Sequence, residues 1–254
     1  MWVRAALTYR MSFAISTLAN VAVTFLDFVT VLLMFSHIET LGGFGLAEVA
    51  LLYGTASMAL GLADLLLGNV ERVGGRIRDG SLDVLLVRPV SVFVQVAADR
   101  FALRRVGRVL QAGAVLGWAL PRVDVVWTPG NVLLLVVTLV SGAVIFGAIF
   151  TLGSAFQFWA QDAAQVQNAF TYGGGALLQY PPTIFARELV RGATFVVPLA
   201  FVNWLPALRL LGREDPLGLP GWVDFLSPLV AAVLSGLAAL VWRSAVRSYR
   251  STGS

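Results

Sequence analysis

Apolar residues fall into long runs at about 12–36, 45–68, 103–120, 131–155, 165–181 and 225–246. Runs of this kind are what a bilayer core about 30 Å thick requires of a helix. Between them lie shorter polar or proline-bearing stretches. Residues 69–91 form the longest polar segment, after which a long helix is expected from about 92, entering the membrane near Leu103. Pro121 and the string TPGN at 128–131 mark a turn, and 157–168 reads as a short polar link. Pro181–Pro182 ends the fifth run, because proline lacks the amide donor and disfavours helix just before it. The stretch 183–212 is apolar but interrupted by Arg187, Glu188, Arg191, Pro198 and Pro206, so it reads as two short re-entrant helices, with a full crossing, which would turn the C-terminal arginines outward, as the alternative. Backbone of that kind is tolerated at membrane depth only when buried in protein or lining water. Residues 1–12 place Trp2 and Tyr9 beside Arg4 and Arg10, which suits a helix lying at the interface. The expected architecture is a single all-α membrane domain, 1–254, of six transmembrane helices.

Within the runs, polar and small positions share helix faces. Ser16, Asn20, Thr24 and Asp27 follow spacings of four, four and three on the first. Gly54, Ser57, Gly61, Asp64 and Gly68 line one face of the second, a small-residue seam that lets another helix approach closely. Gly113 with Gly117, and Gly147 with Thr151 and Ser154, make similar seams. The carboxylates stand apart. An acid at the membrane centre costs roughly 2.5–3.5 kcal/mol on insertion scales. Asp64, near the end of its run, can reach the interface. Asp27 is more central and could pair with an arginine, line a water-filled path with Asn20 and Thr24, or bind a coupling ion.

Charge sets the orientation. All 18 basic residues are arginine. With both termini inside, thirteen arginines lie on the cytoplasmic side: Arg4, Arg10, eight from Arg72 to Arg108, and Arg243, Arg247 and Arg250. Five remain outside, as the positive-inside rule expects. Composition excludes a water-soluble domain: 58 % of residues are apolar and 13 % charged, half the usual share. The pI near 10 is therefore topology information rather than a sign of nucleic-acid binding. With no cysteine a thiolate metal site is excluded, and with one histidine, His37, most catalytic constellations fail, Glu188 between Arg187 and Arg191 being the nearest candidate.

The segment RIRDGSLDVLLVRPVS, residues 76–91, carries five formal charges between apolar runs. Asp79 or Ser81 can cap a helix start. Leu82, Leu85 and Leu86 then share a face, Arg88 suits the helix C-terminus, and Pro89 stops it. The expected product is a two-turn amphipathic helix at about 79–89. The string Gly80-Ser81-Leu82-Asp83-x-Leu85-Leu86-x-Arg88-Pro89-x-Ser91 resembles the loop signature of ABC-2 type transporter permeases, and TFVVPLAFVNWLPA at 194–207 is similar to a string found before the final span in one branch of that family.

The resemblance implies a permease that pairs with a second permease, identical or related, and with cytoplasmic cassette ATPase subunits. It implies that the loop after the second span, with the N-terminal interfacial helix, contacts the cassette. Carried over here, the contact would use Arg76, Arg78, Asp79, Gly80, Leu82, Asp83, Leu85, Leu86, Arg88 and Pro89, the leucines filling an apolar cleft on the cassette. The chain has no lysine and hence no phosphate-binding loop of its own. ATP and Mg would belong to the partner, and the chain itself would need no cofactor. The expected function is export of an amphipathic drug, lipid or glycan-linked lipid across a bacterial inner membrane, along a path between the first, second and fifth spans. Arg187, Glu188 and Arg191, read as an ion-pairing group, would form an outer gate. The competing expectation is an ion-coupled carrier or channel using Asp27 or Asp64, against which stands the absence of an inverted repeat. A membrane-embedded enzyme is a third and weaker expectation.

Overall fold

A computed structural model of the protein describes residues 25–26, 28–99, 103–160 and 163–250. The N-terminal interfacial helix and the candidate path residues Asn20, Thr24 and Asp27 lie outside the described residues. Among those described the fold is helical, and the only strand-like feature is an isolated bridge between Leu41 and Phe44, closed by Gly42 and Gly43 at positive φ.

Helix α1 (Leu46–Leu67) is the centre of the molecule. It is apolar all round rather than amphipathic, as expected of a helix surrounded by others, and 78 % of its apolar window is buried. Glu48 accepts a bond from the Gly45 amide at its start and is held by Arg213 at 2.9 Å. The small-residue seam on α1 faces a later helix, α5 (Leu103–Ala119). A Cβ on Gly54 would stand 2.6 Å from Leu116 Cγ, and one on Gly61 3.1 Å from Val109. Gly54→Leu is therefore expected to separate α1 from α5 and lower stability by about 1–3 kcal/mol, read as an earlier thermal transition in detergent.

Between α1 and α5 the chain makes three short helices: α2 (Val73–Arg78), α3 (Leu82–Leu86) and α4 (Val92–Ala97). The single long helix expected from residue 92 is not formed. Helix α4 ends at Ala97, and Asp99 turns aside to pair with Arg76 at 2.7 Å. Helix α6 (Pro129–Phe156) starts with the Thr128 hydroxyl accepting from the Asn131 amide and with proline in its first turn. Val132, Val136, Val140 and Val144 form an exposed apolar stripe along it, while Leu134, Leu135, Thr138, Ser141 and Ile145 face inward.

The next helical stretch is composite. Helix α7 (Ala163–Asn168) runs through a π-turn (Ala169–Gly173) into α8 (Gly174–Leu178). Two of the three consecutive glycines serve close packing, since a Cβ on Gly174 would meet Leu199 and one on Gly175 would meet Leu60. Helix α9 (Arg187–Arg191), extended by a π-turn (Gly192–Val196), meets residues 199–210, which include α10 (Trp204–Leu210), at a bend of 81°. The break falls at Val197–Pro198, where proline removes a donor.

Asn203, fully buried, holds this bend in place. It donates to Leu52 O at 3.0 Å and Leu178 O at 2.9 Å and accepts from the Thr55 hydroxyl, tying α10 to α1 and α8. Arg187, Glu188 and Arg191 lie exposed and make no ion pair among the described residues, which replaces the expected pairing within that group. Helix α11 (Ser227–Ser248) packs along α6 at the periphery, with 22 % of its apolar window buried. Among the described residues α1, α6 and α11 are long and apolar enough to cross a membrane, with a fourth crossing if the bent pair counts as one span.

Candidate coupling site

The segment singled out by its charge forms an elbow across one end of the bundle. Gly80, at φ +69°, lets the chain reverse between α2 and α3, a conformation costly for other residues. Asp79 Oδ1 accepts from the Ser81 amide at 3.0 Å, so Asp79 closes a turn rather than capping a long helix. Hydrogen bonds to Ser81 hold the Asp79 carboxyl below its ordinary range. Helix α3 is consequently one turn and a half, shorter than expected.

Its leucines do not share one fate. Leu82 is 0 % exposed and Leu85 7 %, both in a core with Val70, Val73, Ile77, Val96, Ala155, Trp242 and Ala245. Leu86 points outward, with Val84 at 55 % and Val87 at 83 % exposure. Arg78, Arg88, Pro89 and Val90 are exposed beside them. Leu82 and Leu85 key the elbow into its own bundle. Within the five-residue helix Leu82 and Leu85 face inward and Leu86, its last residue, stays exposed.

A polar assembly fastens the elbow to the spans. Gln95 Nε2 donates to Leu85 O and Val90 O, at 2.9 and 2.8 Å, bracing the 86–91 turn against α4. Asn69 Nδ2 donates to Ala97 O, and Arg105 Nη1 donates to Asn69 Oδ1 at 3.0 Å. Arg105 Nε reaches Asp64 Oδ1 at 2.8 Å, and Arg108 Nη1 lies 3.5 Å from Asp64 Oδ2. Asp64 is thus buried and ion-paired between α1 and α5. On the other side, Gln157 accepts from the Gly74 amide and donates to Glu71 O and to Gln167 Oε1. The Tyr172 hydroxyl donates to Glu71 Oε2 at 3.3 Å. Polar bonds thus tie the 69–97 segment and its anchors to α1, α5, α6 and α7, while α11 meets it through the apolar Trp242 and Ala245.

Burial, and secondarily the nearby Asp64 carboxylate, push the Glu71 carboxyl up from its ordinary value of 4.5. The folded protein thus holds this proton more tightly than the unfolded chain. The associated stability is present at low pH and is lost as pH rises past 4.5 through the raised value. Between about pH 5 and 7, the wild-type thermal transition is expected to fall more than that of Glu71→Gln, as read by parallel melts in one detergent.

A polar cavity of about 330 Å³ opens deeper in the bundle, lined by Thr30, Tyr53, Ser57, Leu60, Arg108, Gln111, Tyr172, Ala176, Gln179 and Tyr180. Gln111 donates to the Tyr53 hydroxyl at 3.1 Å and Gln179 to Ser57 at 3.2 Å. Polar groups concentrated inside a membrane bundle are costly and mark pathways. Asp64 meets this region through Arg108, which lines the cavity. Among the described residues no group of histidine, cysteine, aspartate and glutamate could hold a metal. The sequence reading missed Asn69, Glu71, Gln95, Gln157 and Gln167. The available signal was the density of amides in 157–168, which had read as a mere link.

The family profile described as ABC-2 family transporter protein matches residues 21–253 of the chain. No curated protein and no solved structure matches it.

Proposed function

The chain belongs to the ABC-2 transporter family, membrane subunits that act with an ATPase partner, and from that membership we propose that it is the permease half of an exporter whose cassette docks on the elbow. The observation that carries this reading is the division of labour in α3. Leu82 and Leu85 lock the elbow to the bundle while Val84, Leu86, Val87 and Arg88 present a bare apolar and cationic surface beside Asp79 and Pro89. Apolar surface rimmed by charge is what a protein–protein contact uses.

In this mechanism two permeases, identical or related, enclose the path, with six spans each and both termini in the cytoplasm of a bacterial inner membrane. Cassette closure on ATP pushes α3. Gln95, Asn69 and Arg105 pass the displacement to α1 and α5, and Gln157 passes it to α6 and α7. The cavity between the first, second, third and fifth crossings then changes its access, and the bent segment 187–210 acts as the outer gate. The π-turn at 169–173, which contains Tyr172, supplies a point where the fifth crossing can change register. Alternating access further requires cargo and ATP to favour different states. The cavity's phenols, amides and single arginine suit the polar head of an amphipathic cargo.

The test is reconstitution of the permease with its cassette ATPase in vesicles carrying a fluorescent head-labelled phospholipid. ATP-dependent movement of label away from the ATPase face is expected. Movement toward that face contradicts export, and movement driven by an ion gradient without ATP favours the ion-coupled reading.

A further inference from the structure

An apolar groove of about 620 Å³ runs between α1, α6 and α11 and shares no lining residue with the polar cavity. Its walls are Leu62, Leu66, Val140, Val144 and Ala239 along the helices, with Trp242 closing one end. At that end the chemistry changes: Arg243 and Ser91 stand at the mouth. Arg243 is exposed and makes no ion pair among the described residues, and it is the one charged residue lining the groove.

Helix α11 turns Leu229, Val233, Leu237 and Leu240 outward, so this side of the bundle faces hydrocarbon in a membrane-spanning chain. A groove there is filled by acyl chains or by another helix. The charge at its mouth decides between them, because a lone interfacial arginine beside a hydroxyl complements an anionic lipid head, and basic pockets between spans on the arginine-rich side bind such heads. We propose that the groove is a binding site for one acidic phospholipid, its chains along α6 and α11 and its phosphate on Arg243 and Ser91.

The site touches the elbow. Ser91 ends the turn that joins α3 to α4, and Phe93 of α4 lines the groove while packing edge-on against Trp242 at 5.3 Å. Trp242 also packs on Phe158 and shares a core with Leu82 and Leu85. An occupied groove therefore stiffens the hinge through which α3 moves, so lipid composition would set how firmly a push on α3 reaches the spans. This inference uses the membrane-spanning reading of the chain and is tested without any ATPase, so it fails or survives independently of the exporter assignment.

The purified permease is titrated in detergent with dioleoyl phosphatidylglycerol or dioleoyl phosphatidylcholine, and bound lipid is counted by native mass spectrometry. One phosphatidylglycerol per chain is expected to be retained preferentially. Arg243→Gln is expected to weaken it about fivefold, the size of one interfacial arginine contact, while Arg243→Lys keeps it. Ala239→Phe, which fills the groove from an exposed helix position, is expected to remove it with the thermal transition preserved. Equal retention of the two lipids overturns the proposal, as does phosphatidylglycerol binding that survives both Arg243→Gln and Ala239→Phe. Conversion of a dimer to monomer by Ala239→Phe would assign the groove to a second copy and also overturn it.

Discussion

Asp64→Ala is expected to destabilise the protein by about 3–5 kcal/mol, the usual consequence of leaving a buried charge without its partner. Arg105 is 5 % exposed and has Asp64 at 2.8 Å as its counter-ion, and no other carboxylate pairs with it among the described residues. The loss propagates because the same guanidinium holds Asn69, and Asn69 holds the end of α4. A fall in the detergent melting temperature with early aggregation on size exclusion is the expected readout. Asp64→Ala combined with Arg105→Met is expected to recover much of the loss, since an apolar replacement of a whole buried pair is often neutral. A single variant that melts like wild type would mean that the ion pair does not hold α1 to α5.

The second large effect separates the two faces of α3. Leu82→Ala removes a fully buried side chain and is expected to cost about 2–5 kcal/mol of stability. Val87→Ser, at a position 83 % exposed, is expected to change stability by no more than about 0.5 kcal/mol. Coupling to an ATPase should show the opposite order per unit of stability lost. A Val87→Ser protein would melt normally and transport poorly, whereas Leu82→Ala would lose transport only as far as it loses fold. The measurement is a melt and an ATP-driven flux on the same preparations. Equal melting of the two variants would contradict the inward placement of Leu82.

Much of this was legible in the sequence because membranes impose a coarse code. The apolar runs give α1, α6 and α11, Pro198 marks the 81° break, and the Gly54–Gly61 seam marks the helix that α5 approaches. The string at 80–91 carries the family resemblance that the profile match over 21–253 supports. What sequence could not give was which way short elements point. A helical wheel assigns Leu82, Leu85 and Leu86 to one face, but a five-residue helix ending in a turn has no full wheel. Nor does a local pattern show that Gln157 bonds the backbone of 71–74, or that Arg105 and Arg108 serve Asp64 rather than lipid heads. Those pairings join residues some 40 to 86 positions apart in the chain, and only the packed bundle brings them together.

The central claim, that the outward face of the elbow is the motor contact, is tested most directly by co-purification. Wild-type permease and a Val84→Glu, Val87→Glu variant are each expressed with the cassette ATPase and isolated through a tag on the permease. The account predicts that wild type retains the ATPase and that the variant, with an unchanged melting temperature, retains it at least about tenfold less, as expected for central contact residues. Equal retention by the folded variant, or no retention by wild type, would contradict it.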